Sequence, residues 1–149
     1  MNRDFVEMLA ALSAAGVEFL IVGAYALAAH GLPRATGDID IWVRPTRANA
    51  ARVMEALKAF GAPLFGLSME DLLRPDTVFQ IGVAPSRIDL LTGITGVSFE
   101  EAWQNRLSVE IDDQVVPVIG VEDLIRNKAA TGRPKDQADL IWLRERRRG

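Results

Sequence analysis

Asp38 and Asp40 stand two residues apart in Thr36-Gly37-Asp38-Ile39-Asp40-Ile41-Trp42-Val43. The apolar residues that follow have the period-two spacing of a β-strand. On a strand, positions i and i+2 share a face, about 7 Å apart along the chain. The two carboxylates therefore converge on one ion or one ion pair. Like charges that close are costly unless a cation or a proton relieves them. A hard divalent ion, Mg²⁺ or Mn²⁺, does so with a few carboxylates and substrate phosphates. The plainer reading is a strand start with two solvated aspartates, and the rest of the chain decides between them.

Other residues fit the same chemistry. Asp89 lies in Arg87-Ile88-Asp89-Leu90-Leu91 and shares a strand face with Arg87 and Leu91. If that strand neighbours the Asp38 strand, a third carboxylate reaches the site, as a metal ligand or as a base. Otherwise Asp89 is paired with Arg87 or water. Gly23, followed by Ala24, sits between a buried strand and a helix start, where backbone N–H groups can face a phosphate. An ordinary tight turn would look the same. Lys128 follows Leu124 and Ile125 by four and three residues, so it shares their apolar face. There it either snorkels or points its cation at a triphosphate. Asp136 falls in the first turn of the last helix, as a favourable helix-end charge or as the partner that orients Lys128. Arg34 precedes the Asp pair and has the reach for a phosphate. Thr36 caps or braces that loop. His30 has the dull explanation of a cation near a helix C-terminus.

Composition narrows the chemistry. With 149 residues, 49% of them hydrophobic and 25% charged, one domain with a real core is expected. A net charge of −3 argues against a general nucleic-acid coat protein but not against an enzyme acting on RNA. There is no Cys and one His. Disulfides, thiolate nucleophiles and Cys- or His-rich zinc sites are excluded, which leaves oxygen-ligated metals. Arg3, Asp4 and Glu7 break up any signal-peptide pattern, and the longest uncharged apolar run, 19–29, is too short to span a bilayer. A cytoplasmic protein with no membrane partner is expected.

The elements that must position these residues follow from spacing. An amphipathic helix over 2–15 stops at Gly16. A buried strand over 17–22 turns at Gly23-Ala24 into a short helix over 25–30, ended by Gly31 and Pro33. The Asp38 strand follows. Pro45-Thr46 opens a long helix with Val53, Leu57 and Phe60 in its stripe, stopped by Gly61. The stretch 62–75 reads poorly, with a helix start at Ser68-Met69-Glu70-Asp71. Residues 77–83 and 87–91 read as an antiparallel hairpin. A short helix over 98–104 precedes a second hairpin of 107–111 and 114–118 around Asp112-Asp113. Helices over 121–131 and from Pro134 onward close the chain. The tail Arg144, Arg146, Arg147, Arg148 suits a helix C-terminus, and simple solvation is favoured over RNA contact. No Walker motif exists, because Leu67 stands where its Lys is needed.

Taken together, these pieces resemble the polymerase-β-like nucleotidyltransferase superfamily, and within it the small bacterial branch related to AbiEii-type toxins of toxin–antitoxin systems. The resemblance rests on Val22-Gly23-Ala24-Tyr25-Ala26, His30-Gly31, Arg34-Ala35-Thr36-Gly37-Asp38-Ile39-Asp40, and a late block. That block holds Asp123-Leu124-Ile125-Arg126-Asn127-Lys128, Gly132-Arg133-Pro134-Lys135-Asp136 and Ala138-Asp139-Leu140. It covers nearly the whole chain. It implies an α/β (α+β) nucleotidyltransferase core, a mixed sheet flanked by helices, with short C-terminal helices. One domain, 1–149, is expected, with a core of about 1–119 and the C-terminal helices at about 120–149. It implies Mg²⁺ (or Mn²⁺) held by Asp38 and Asp40, with Asp89 as third acidic residue. Gly23 and Ala24 would form the nucleotide-binding turn, and Lys128 and Asp136 a later functional pair. The family often has Gly-Gly or Gly-Ser where this chain has Gly23-Ala24, so a Ser hydroxyl is absent. Larger relatives carry a further helical domain, so acceptor binding here would call on a second subunit or an antitoxin partner.

The expected activity is Mg²⁺-dependent transfer of an NMP from an NTP, ATP included, to a hydroxyl on RNA or tRNA, a protein or a small molecule. A non-catalytic binding protein, antitoxin or scaffold, is the alternative. The intact Asp38/Asp40 pair argues against it, because a dead copy need not keep a costly carboxylate pair. A metal-dependent phosphohydrolase is the third reading.

Overall fold

In the computed structural model, residues 1–32, 37–83 and 85–148 are described. Among these residues, six strands form one mixed sheet in the order β3-β4-β2-β1-β6-β5. The strands are β1 (Phe19–Val22), β2 (Ile39–Val43), β3 (Val78–Ile81), β4 (Ile88–Leu91), β5 (Leu107–Ile111) and β6 (Gln114–Val118). Pairing is antiparallel for β1–β2, β3–β4 and β5–β6, and parallel for β1–β6 and β2–β4. The helices are α1 (Arg3–Ala14), α2 (Gly23–Ala29), α3 (Arg47–Phe60), α4 (Phe99–Gln104), α5 (Val121–Thr131) and α6 (Pro134–Arg148).

The two central strands carry the most apolar segments. All four residues of β1 are buried, and Ile39, Ile41, Trp42 and Val43 of β2 are too. A strand covered on both faces needs this near-continuous apolar run. The helix α1, capped by the Asn2 side chain, buries Phe5, Met8, Leu9 and Leu12 at the expected helical spacing. It packs along α3, which buries Ala50, Val53, Ala56 and Leu57. Asn49 is fully buried within α3. Its amide donates to the carbonyls of Glu18 and Arg44, and its Oδ1 accepts from Glu18 N. One side chain thus ties the entry of β1, the exit of β2 and the start of α3.

Three sequence expectations need adjustment. The short second helix begins at Gly23 itself, two residues earlier than its periodicity indicates. The helix start expected at 68–71 is only a 3-10 turn over Asp71–Leu73. The Asp71 carboxylate accepts from Ser68 N and Oγ, and Pro75 forces Arg74 into extended backbone. The basic tail is not simply solvated: Arg146 Nε donates to the His30 carbonyl at 3.2 Å, and Arg147 pairs with Glu122 at 3.0 Å. His30 in turn donates from Nε2 to the Ile119 carbonyl at 2.8 Å, so it joins the end of α2 to the end of β6. Among the described residues, no helix is long and apolar enough to cross a membrane.

Candidate active site

Register brings the acidic residues together. Because β2 and β4 are parallel neighbours, Asp40 stands directly opposite Asp89. On its other side Asp40 is opposite Val22, the last residue of β1. Asp38 lies just before β2 on the same face as Asp40. The expected third carboxylate therefore reaches the first two, as it must if the strands are adjacent.

Glycine is required at two places around this cluster. Gly23 has φ +70°, and a Cβ there would lie 2.3 Å from Asp40 Oδ2. The carboxylate thus sits against bare backbone at the start of α2. A Cβ at Gly37 would lie 1.6 Å from the Pro85 carbonyl oxygen. Only glycine lets the segment entering β2 pass the β3–β4 connection.

Arg87 runs through the cluster. Its Nε and Nη2 donate to Asp89 Oδ1 and Oδ2 at 2.7 and 3.1 Å, and Nη2 also lies 3.0 Å from Asp38 Oδ2. The Arg87–Asp89 pairing foreseen as the plain alternative is present, and it extends to Asp38. Burial, then the negative charges of Asp89 and Asp38, push the Asp40 carboxyl up to about 6, although Arg87 opposes the rise. The three carboxylates carry more negative charge than Arg87 neutralises.

The facing wall comes from α5 and α6. Lys128 is buried on the stripe of Leu124 and Ile125. Its Nζ donates to Asp136 Oδ1 at 3.0 Å and lies 3.5 Å from Asp139 Oδ2. Asp136, fully buried, also accepts from Thr131 Oγ1 and from Arg133 Nε at 2.8 Å. Burial alone would raise its pKa, but the hydrogen bonds from Thr131, Lys128 and Arg133 outweigh that and hold it well below the usual carboxylate range. Lys128 does not snorkel to solvent; it ends in a buried ionic network.

The two walls enclose a cleft with two lobes. One lobe, of about 300 Å³, is lined by Asp38, Asp40, Arg87 and Asp89 on one side and by Lys128, Arg133, Lys135, Asp136 and Asp139 on the other. Gly23 and Ala24 border it. The other, of about 450 Å³, is lined by Leu91, Ile94, Thr95, Asn127, Ala130 and Thr131. Gly23, Asp40, Lys128 and Arg133 line both lobes and form the waist between them.

Of the residues singled out from sequence, Gly23, Ala24, Asp38, Asp40, Asp89, Lys128 and Asp136 meet in this cleft. Arg34 and Thr36 lie outside the described residues. Among the described residues, no group of three or more His, Asp or Glu side chains is already arranged to hold a metal. The donor chemistry nevertheless suits a hard cation: carboxylate oxygens only, with excess negative charge that lifts Asp40. Sequence reasoning missed the bridge from Arg87 to Asp38, and missed Thr131, Arg133 and Asp139 as parts of the Lys128 network. The i, i+2 spacing of Arg87 and Asp89 and the i, i+3 spacings around Asp136 were the available signals.

A family model described as a nucleotidyl transferase of unknown function (DUF2204) matches residues 1–147. No curated protein sequence is significantly similar to the chain. Several solved structures share its fold. TM1012 of Thermotoga maritima, described as a nucleotidyltransferase, superposes with a TM-score of 0.63 at 16% identity, over 96% of this chain and 92% of that one. The lincosamide antibiotic adenylyltransferase LnuA, bound to lincomycin, gives 0.63 at 14% identity, over 97% and 96%. The antibiotic-resistance factor ANT(2'')-Ia gives 0.60 at 16%, over 94% and 80%.

Proposed function

The chain belongs to the DUF2204 family of nucleotidyl transferases, and from that premise we propose that it moves an NMP from an NTP to a hydroxyl acceptor with the help of Mg²⁺. The observation that carries this reading is the opposition, in one cleft, of three carboxylates, Asp38 just before β2, Asp40 on β2 and Asp89 on β4, and the buried cation Lys128. Residues 1–149 form one catalytic domain in this reading.

Asp38 and Asp40 would hold the metal, with Asp89 as the third carboxylate, and a bound Mg²⁺ would supply Lewis-acid neutralisation of phosphate charge. The acceptor oxygen forms a bond to the α-phosphorus, the α–β bridging P–O bond breaks, and pyrophosphate leaves with the electron pair. Asp89 receives the proton of the attacking hydroxyl. Lys128, oriented by Asp136, neutralises charge on the phosphates, and Arg34 and Thr36, which precede Asp38 in sequence, are assigned to nucleotide binding with it. The backbone at Gly23 and Ala24 admits the nucleotide close to Asp40.

Among RNA, protein and small-molecule acceptors, the second lobe favours the last. Its volume of about 450 Å³ and its uncharged walls of Leu91, Ile94, Thr95 and Asn127, beyond the charged waist of Asp40, Lys128 and Arg133, suit a small alcohol. The resemblance of the late block to AbiEii-type toxins supports a narrower reading, the toxic half of a toxin–antitoxin pair. Growth arrest on expression, relieved by Asp38→Ala/Asp40→Ala, is its test.

The activity itself is tested with α-³²P-labelled NTPs, Mg²⁺, and total cell RNA, protein and small-molecule extract. Label is expected in one acceptor class with the wild type only, and not with Asp38→Ala/Asp40→Ala. No transfer, with no Mg²⁺-dependent NTP binding, would overturn the enzyme reading and leave a binding protein.

A further inference from the structure

Arg133 lies in the Gly132-Arg133-Pro134 link between α5 and α6 and is 55% exposed. Its side chain is nonetheless fixed, because Nε donates at 2.8 Å to the fully buried Asp136. Asp136 also takes Lys128 on Oδ1 and Thr131 on Oδ2, and Lys128 is shared with Asp139 at 3.5 Å, so Arg133 is the second cation over two buried carboxylates and gives one nitrogen to that role. A guanidinium has five N–H donors in a rigid fork, and Asp136 takes the one on Nε. Arg133 also lines both lobes of the cleft, at the waist where Asp40 and Gly23 form the facing side. A ligand passing from the carboxylates into the second lobe passes Arg133.

Charge identifies that ligand. One wall of the smaller lobe sets Asp38, Asp40 and Asp89 against Arg87 and is net negative; the other sets Lys128, Arg133 and Lys135 against the buried Asp136 and Asp139 and is net positive. An anion alone meets repulsion on the first wall, and a cation alone meets it on the second. A polyphosphate accompanied by a divalent ion satisfies both. A planar guanidinium binds phosphate oxygens two at a time, which a solvated lysine does not.

We propose that Arg133 is a polyphosphate-binding residue of this cleft and that Asp136, besides pairing with Lys128, is the positioning residue that holds Arg133 at the waist. This rests on the nucleotidyl-transfer reading and adds a specific contact to it. It assigns Asp136 a role in ordering two cations rather than in touching substrate.

The test is calorimetric binding, which does not depend on turnover. The probes are inorganic tripolyphosphate and an ATP analogue with a non-cleavable α–β methylene bridge, each with Mg²⁺. The proteins are wild type, Arg133→Ala, Arg133→Gln, Arg133→Lys and, as a distant surface control, Arg106→Ala. Loss of a charge-assisted fork predicts binding about 10- to 100-fold weaker for Arg133→Ala. Arg133→Gln should be almost as weak, Arg133→Lys should recover part of the affinity, and Arg106→Ala should match wild type. Glutamine keeps an N–H donor for Asp136 without the charge. If it restores binding as well as lysine does, Arg133 merely braces Asp136 and the proposal is overturned. Wild-type affinity in Arg133→Ala overturns the proposal alone and leaves nucleotidyl transfer standing. A wild type that binds neither probe overturns both.

Discussion

Arg87, just before β4, reaches Asp38, just before the neighbouring β2, its Nη2 3.0 Å from Oδ2, while Nε holds Asp89 at 2.7 Å. The guanidinium therefore occupies carboxylate oxygens that a divalent ion would also use. Cation and ion compete for Asp38, yet the arginine keeps Asp89 in a fixed rotamer. Arg87→Ala should bind Mg²⁺ several-fold more tightly in a calorimetric titration and transfer nucleotide more slowly. Equal or weaker Mg²⁺ binding would show that the arginine organises the site without competing for it.

Gly23 and Gly61 both have positive φ, +70° and +85°, but their surroundings differ. Nothing lies within 4 Å of a Cβ built on Gly61, whereas at Gly23 the Asp40 carboxylate is 2.3 Å away. Gly61→Ala should cost only the left-handed strain of about 1–2 kcal/mol. Gly23→Ala carries that strain and also displaces Asp40. Urea denaturation should show the larger loss for Gly23→Ala, and its Mg²⁺ binding should fall while that of Gly61→Ala is unchanged. Equal behaviour of the two would mean that Asp40 moves aside freely.

The raised Asp40 carboxyl makes stability depend on pH. Its folded value of about 6 exceeds the ordinary 3.8, so between these values the folded protein holds the extra proton. Stability from this group therefore falls as pH rises through that window and is constant above it. At 1.36 kcal/mol per pH unit the effect is capped at about 3 kcal/mol, and solvent at a partly exposed site reduces it to about 1–2 kcal/mol. Asp40→Asn should be the more stable protein at pH 8 by that amount, with no advantage below pH 4. Saturating Mg²⁺ should narrow the gap at pH 8 by stabilising the wild type. Chemical denaturation at the two pH values, with and without Mg²⁺, checks each sign.

The legible parts of this molecule were those governed by short-range periodicity. The strand around Asp38 and Asp40, the α5 face shared by Leu124, Ile125 and Lys128, and both hairpins follow from spacing alone. The meeting of Asp89 with Asp40 was legible only as a condition, because sheet order depends on packing between distant segments. The role of Asn49 was hidden, since a buried amide that satisfies three backbone groups looks like any polar residue near a helix start. The contact of Arg133 with Asp136 was hidden, because Asp136 owes its burial to α5 and α6 packing together. The 3-10 turn at Asp71–Leu73 defeated pattern reading for a simpler reason: three residues carry too little periodicity.

Removing either partner of the Lys128–Asp136 pair should have unequal results. Asp136→Ala leaves Lys128 buried with Asp139, at 3.5 Å, as its remaining ion-pair partner among the described residues. An under-compensated buried cation of this kind costs about 3–5 kcal/mol. Lys128→Met keeps the side-chain volume and leaves Asp136 two donors, Thr131 and Arg133. It should fold with a much smaller loss but transfer nucleotide poorly. The pair also sets the acid limit. Asp136 is held below the ordinary carboxylate range, so the unfolded chain binds its proton first as pH falls. The stability it contributes is complete above about pH 4 and is lost as pH drops through the lower folded value. Asp136→Asn should therefore flatten the acid limb of a stability–pH profile relative to wild type. A thermal melt series from pH 7 to pH 2.5 on wild type, Asp136→Asn and Lys128→Met separates these outcomes. An acid limb unchanged in Asp136→Asn would assign that limb to other carboxylates.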